Sequence, residues 1–232
     1  MAIENDNTQC ISYLKQMLKL QTNINQSIHP DWRNQHYAWY RAIWTECAEL
    51  MDHISWKWWK HNPPNLTQIH LEIVDIWHFG LSDCLQNSED ENTIAHALGN
   101  SALNLHELNT PTGPVSAADL YRIDLLNAVE RLARDCLSLN RFPLGAFSDV
   151  INHALLSLPE LFRLYVGKNV LNQFRQDFGY QTGNYQKRWD NKEDNEHLSD
   201  ILSKLDPSHE GFKQQVYDRL KQCYPKAVAE PL

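Results

Sequence analysis

At 232 residues and a net charge of −8, the chain has the length of one ordinary domain and the wrong sign to hold nucleic acid as a bulk polyanion. Only 8 glycines, and long runs of apolar residues at helical spacing, point to an all-α fold, a helical bundle without convincing strand alternation. Five cysteines stand singly at 10, 47, 84, 136 and 223 with no CxxC pair, which argues against a zinc site or a disulfide framework and suits a reducing, cytoplasmic setting. The polar N-terminus has no apolar signal-peptide core, and no apolar run is long enough to span a membrane.

The first helix is expected from about Thr8 to Ile24, with Ile11, Leu14, Met17, Leu18 and Leu20 inside. Residues 26–34, with His29 and Pro30, read as a loop. One helix follows from about Gln35 to Lys60 and is stopped by His61-Asn62-Pro63-Pro64, because two prolines cannot continue the hydrogen-bond ladder. A second runs from near Leu66 to about Leu85. After the polar break from Asn87 to Asn92, a short helix is expected from Ile94 to about His106, then a loop from Leu108 to Val115. Ser116 and Asp119 resemble a helix start, and helical spacing continues to Leu139. Pro143-Leu144-Gly145 turns the chain into a helix from about Phe147 to Leu158, and Pro159 lies near the start of another that ends at Phe178. Gly179 and Gly183 punctuate a loop. Residues beyond Lys192 are polar, with one or two short helices, and 196–232 read as a peripheral extension of a single domain spanning 1–232.

Two acid pairs interrupt this pattern. Glu46 and Glu49 are spaced i,i+3, as are Glu72 and Asp75. On a helical projection Glu46 and Glu49 share a face with Trp39, Ala42, Ile43, Leu50 and His53, and Glu72 and Asp75 share one with Ile69, Ile76 and Phe79. Four carboxylates therefore point where a core belongs. Buried and unpaired they repel one another and resist ionisation; a divalent cation with a taste for hard oxygen ligands, Mg2+ above all, removes the conflict. An antiparallel hairpin of the two helices brings the pairs to one level. His78, between Trp77 and Phe79, reads as a packed histidine and not a ligand.

A local reversal of charge supplies the second half of a site. Between Leu161 and Lys192, six cations (Arg163, Lys168, Arg175, Lys187, Arg188 and Lys192) face only Asp177 and Asp190. Lys168, Asn172 and Arg175 share one stripe of a helix beside the apolar stripe of Leu164, Leu171, Phe174 and Phe178. With Tyr180, Lys187 and Asn195 they suit a polyphosphate. Six of the 8 tryptophans lie between Trp32 and Trp59, and a ring among Trp56, Trp58 and Trp59 could stack on a base. Gln21 and Asn25, at i,i+4, carry amides able to pair with a pyrimidine edge in either orientation.

Together these pieces resemble the dimeric dUTPases of the all-α NTP pyrophosphatase superfamily, which includes MazG. The likeness is carried by LQTNIN at 20–25, ECAELMDHISWKWWK at 46–60, LEIVDIWHF at 71–79, GKNVLNQFRQDFGYQTGNYQKRW at 167–189 and EDN at 193–195. The resemblance implies a helical homodimer that hydrolyses dUTP and dUDP to dUMP with Mg2+. It implies Glu46, Glu49, Glu72 and Asp75 as metal ligands, with Glu49 also orienting or deprotonating the attacking water. Gln21, Asn25 and Trp58 become the uracil contacts, and Lys168, Asn172, Arg175, Tyr180, Lys187 and Asn195 the phosphate grip. Two alternatives stay open at this level: a pyrophosphatase for another deoxynucleotide such as dCTP, and a non-catalytic helical interaction protein.

Overall fold

The computed structural model describes residues 2–60, 63–88, 90–100, 123–207 and 209–225, leaving aside the side chains of 2–8 and 100. The His61-Asn62 part of the expected helix stop, the loop at 108–115 and the helix start at Ser116 and Asp119 lie outside the described residues. The chain divides into two compact units, Met1–Tyr165 and Val166–Leu232.

The first unit is helical. Helix α1 spans Ala2–Ile28, longer at both ends than its apolar spacing suggests. Leu14, Met17 and Leu18 are fully buried and Ile11 and Leu20 only half so. A 3-10 turn at Trp32–Gln35 follows, and from it Arg33 donates to the carbonyls of Leu85 and Ser88. That cation caps the carbonyl end of α3, Leu66–Asn87. Asn65 caps the other end, its side chain accepting from the Gln68 amide at 3.2 Å.

Helix α2 spans Trp39–Ile54, shorter than the expected 35–60 run. His36 and Ser55 both take left-handed backbone angles, at φ 51 and 66, and these bound the helix where no glycine or proline announces an end. The Asn65 amide then donates to the His53 carbonyl at 3.0 Å, closing the α2–α3 connection. Helix α4 is Glu91–Asn100, α5 is Ile123–Leu139 and α6 is Leu144–His153. α6 begins earlier than expected because Pro143 itself sits at the cap, and it ends before Leu155, which adopts φ 51.

Helix α2 packs against α3 and α5, α5 against α6, and α1 against α3 and α4. Trp77 of α3 is the hub, stacked on Phe147 at 5.1 Å and tilted against Phe142. Gly80, one turn on, lets the Phe142 ring approach so closely that a Cβ there would lie 2.7 Å from it.

Helix α7, Leu158–Asp177, runs through the boundary between the units. In the second unit Gly179 and Gly183 take φ 84 and 74, the left-handed turn positions their sequence spacing suggests. A small antiparallel hairpin pairs β1, Arg188–Trp189, with β2, Lys192–Glu193. No strand is expected here from the sequence, since two residues a side are too few to alternate. Asp190 and Asn191 form the turn, at φ 48 and 61, both left-handed as a tight hairpin requires. Helices α8, Asp194–Leu202, and α9, Phe212–Cys223, pack on one another. A reciprocal capping box of Glu193 and Glu196 starts α8. Among the described residues, no helix is long and apolar enough to cross a membrane.

Candidate functional site

Glu46 on α2 and Glu72 and Asp75 on α3 each bring one carboxylate oxygen within 4.8 Å of the others. The α2–α3 pairing thus does what the spacing requires for three of the four acids. Glu49 stands one turn along α2 and is exposed. It acts on Glu46 by charge, raising its pKa together with Asp75 and Glu72. Burial is the larger cause, and the Glu46 carboxyl is pushed up to about 9. His53 Nε2 lies 3.6 Å from Glu72 Oε1, a partial counter-charge when protonated. The metal-free cluster therefore holds a proton more tightly than an ordinary carboxylate does, and a cation would displace it. Three carboxylates converging on one point form a hard, all-oxygen donor set that fits Mg2+ or a similar cation.

Gln21 and Asn25, one turn apart on α1, are both buried and meet in a network with α3 and α7. Gln21 Nε2 donates to Asn25 Oδ1 at 3.0 Å and to Ser82 Oγ at 2.9 Å. Its Oε1 faces His78 Nδ1 at 2.7 Å and accepts from the Tyr165 hydroxyl at 2.8 Å. Both hydrogens of the Gln21 amide are used, and its oxygen lies within hydrogen-bond distance of the His78 ring and of the Tyr165 hydroxyl, which also reaches the Met17 carbonyl at 2.9 Å. Asn25 is not saturated: Nδ2 donates to Ser82 Oγ at 3.0 Å, leaving one N–H and one lone pair with no bond among the described residues. His78 is packed, stacked on Tyr165 at 4.2 Å, and it also orders Gln21. Ser82 and Tyr165 are members that the sequence reading misses. The signal for Ser82 was its i+4 spacing from His78; Tyr165 had none.

Trp58 is almost fully exposed, at 90%, and stands edge-on to Trp59, which is edge-on to Trp56 in turn. Lys57 pairs with Asp52 at 2.5 Å. These rings form an open aromatic ledge in the α2–α3 connection.

In the second unit the predicted grip residues gather around Asp194, a carboxylate with no solvent exposure. Arg175 donates to it twice, Nε to Oδ2 at 2.8 Å and Nη2 to Oδ1 at 3.0 Å, and Tyr185 donates through its hydroxyl at 3.0 Å. Burial opposes ionisation of Asp194, but Arg175, Tyr185 and Lys168 overcome it and hold its pKa below the usual value. Lys168 is 1% exposed and donates to Asn195 Oδ1 at 2.8 Å. Asn172 accepts from Arg175 Nη1 at 3.1 Å. Tyr180 is half exposed with the Arg175 guanidinium 5.9 Å from its ring, and Lys187 lies 3.9 Å from Glu193. Asp194 was visible only as the middle letter of EDN, and nothing in the local sequence pairs it with Arg175.

Comparison with known families bears on this arrangement. A family model described as dUTPase matches residues 13–180, most of the chain. The span covers all four acids, Gln21, Asn25, Trp58, Lys168, Asn172, Arg175 and Tyr180, and stops short of Lys187 and Asn195. No curated protein matches the chain.

Proposed function

The chain belongs to the all-α dUTPase family and hydrolyses dUTP and dUDP to dUMP, and from that premise we propose that it is a Mg2+-dependent pyrophosphohydrolase with the following division of labour. Glu46, Glu72 and Asp75, joined by Glu49, would hold the cation. When bound, Mg2+ would shield phosphate charge and make water a better nucleophile. The observation that carries the reading is the convergence of three acids from two helices, with Glu46 pushed up to about 9 by burial first and by its acidic neighbours second.

Glu49 takes the proton from the attacking water. Its exposure supports this role, because an exposed carboxylate can pass the proton on to solvent. Lys168, Arg175 and Lys187 offset charge on the phosphates, and Asn172, Tyr180 and Asn195 orient them. Turnover of both dUTP and dUDP to dUMP fits attack at the β-phosphorus: the water oxygen bonds to that atom, and the bond from it to the α-bridging oxygen breaks. The products are dUMP with pyrophosphate from dUTP, or with phosphate from dUDP. Asn25 reads the uracil edge with Gln21 as its fixed support, and Trp58 stacks on the ring. The active assembly is a homodimer.

Pyrophosphate release from dUTP, dCTP, dTTP and UTP, each with and without Mg2+, tests the reading. Release from dUTP alone and only with Mg2+ is expected; equal release without the ion, or a preference for dCTP, removes it. Sedimentation of the active protein as a monomer removes the dimer.

A further inference from the structure

We propose that Ser82 is a specificity-determining positioning residue: it fixes which way the Asn25 amide faces and so decides between uracil and cytosine. The inference rests on the nucleotide reading above and deepens it. Uracil offers a carbonyl oxygen beside an N–H, whereas cytosine offers an amino group beside a bare ring nitrogen. A single amide satisfies one or the other according to which of its ends faces which, so selectivity requires that the amide be unable to turn over.

The network around Ser82 meets that requirement. The hydroxyl hydrogen of Ser82, wholly buried on α3, goes to the His78 carbonyl at 3.0 Å. The oxygen is thereby left as an acceptor, and it receives Gln21 Nε2 at 2.9 Å and Asn25 Nδ2 at 3.0 Å. The second Gln21 hydrogen fills Asn25 Oδ1 at 3.0 Å. Each donor that faces Ser82, and the one shared between the two amides, meets an acceptor.

Both ways of reversing Asn25 break this pattern. Turning Asn25 alone sets its NH2 against the Gln21 NH2 at 3.0 Å, donor against donor. Turning both amides restores that contact but presents two carbonyl oxygens to Ser82, 2.9 and 3.0 Å away, while the His78 carbonyl still claims the single hydroxyl hydrogen. At 0% exposure no water relieves the conflict. Ser82 thus holds both amides, and the constraint reaches the remaining N–H and lone pair of Asn25, which have no bond among the described residues and are left to meet a base.

The test compares the full-length wild type with Ser82→Ala by kcat/KM on dUTP and on dCTP at one Mg2+ concentration. The preference for dUTP is expected to fall by about tenfold or more, as for a buried polar pairing relaxed. Equal loss on both nucleotides means that Ser82 only fills space, and overturns the inference alone. A wild type that hydrolyses neither nucleotide overturns the parent reading and this one with it. Neutron diffraction from deuterium-exchanged wild-type crystals reads the amide directly should the variant fail to fold. Deuterium on the Asn25 atom facing Ser82 is expected, and deuterium on the atom facing Gln21 refutes the proposal.

Discussion

Arg175 and Asp194 form a two-point ion pair, 2.8 and 3.0 Å, whose acid is wholly shielded from solvent. The cation that the sequence marks for phosphate binding is thus already matched to a protein carboxylate. The pair holds the guanidinium plane still, which favours a fixed grip on an anion. Removing one partner of such a pair strands the other's charge. Asp194→Ala is therefore expected to cost about 3–5 kcal/mol of stability, measured by urea unfolding, against a far smaller loss for an exposed pair such as Lys192 with Asp200.

The same carboxylate sets a pH dependence. The folded pKa of Asp194 lies below its ordinary value of 3.8, with burial opposing and Arg175, Tyr185 and Lys168 prevailing. A depressed acid stabilises the fold fully above 3.8, and the contribution disappears as pH falls through the folded value. Urea midpoints of the wild type are expected to drop steeply below about pH 4. Asp194→Asn should start lower and lose less over that range. Parallel curves for the two proteins would show that Asp194 is not the group responsible.

For the acidic cluster the expected sign is reversed. Burial and three neighbouring acids raise Glu46, so in metal-free protein the cluster is a strain that a neutral side chain relieves. Glu46→Gln is expected to raise the Tm of EDTA-treated protein by about 2–4 °C, the shift that about 1 kcal/mol gives a chain of this size. The ordering should invert on adding Mg2+, which ought to stabilise the wild type and leave the variant nearly unmoved. Thermal melts in EDTA and in millimolar Mg2+ read both effects, and a wild type indifferent to Mg2+ would sink the metal assignment.

How much of this was legible in the sequence depended on whether the signal was periodic. Glu46, Glu72 and Asp75 were readable because each breaks an apolar stripe, and a stripe is a local, repeating pattern. The ends of α2 were not, because the left-handed turns at His36 and Ser55 use residues with no strong turn preference inside an amphipathic run. The hairpin at Arg188–Glu193 escaped because two residues a side are too few to alternate, though Asp190-Asn191 was a legitimate turn signal. Gln21 and Asn25 were found as a pair, but the Gln21 amide oxygen also meets Tyr165, distant in sequence, and no spacing rule reaches that far. Asp194 is the clearest such case, since its meaning lies in Arg175, and only the folded chain joins them.

Glu49 separates two roles that share one residue. It lies outside the three-acid cluster and is exposed, so its replacement leaves no buried charge and should not harm the fold. As the proton acceptor for water, Glu49→Gln is expected to lower kcat by about 10²-fold or more, with KM for dUTP little changed and an unaltered Tm. As a metal ligand alone, the same variant would instead raise the Mg2+ concentration needed for half-maximal rate, and saturating Mg2+ would restore kcat. Titrating Mg2+ at saturating dUTP distinguishes the two. A kcat that recovers fully at high Mg2+ removes Glu49 as the base and leaves it as a ligand, while a kcat that stays low at every Mg2+ concentration keeps it in the proton transfer.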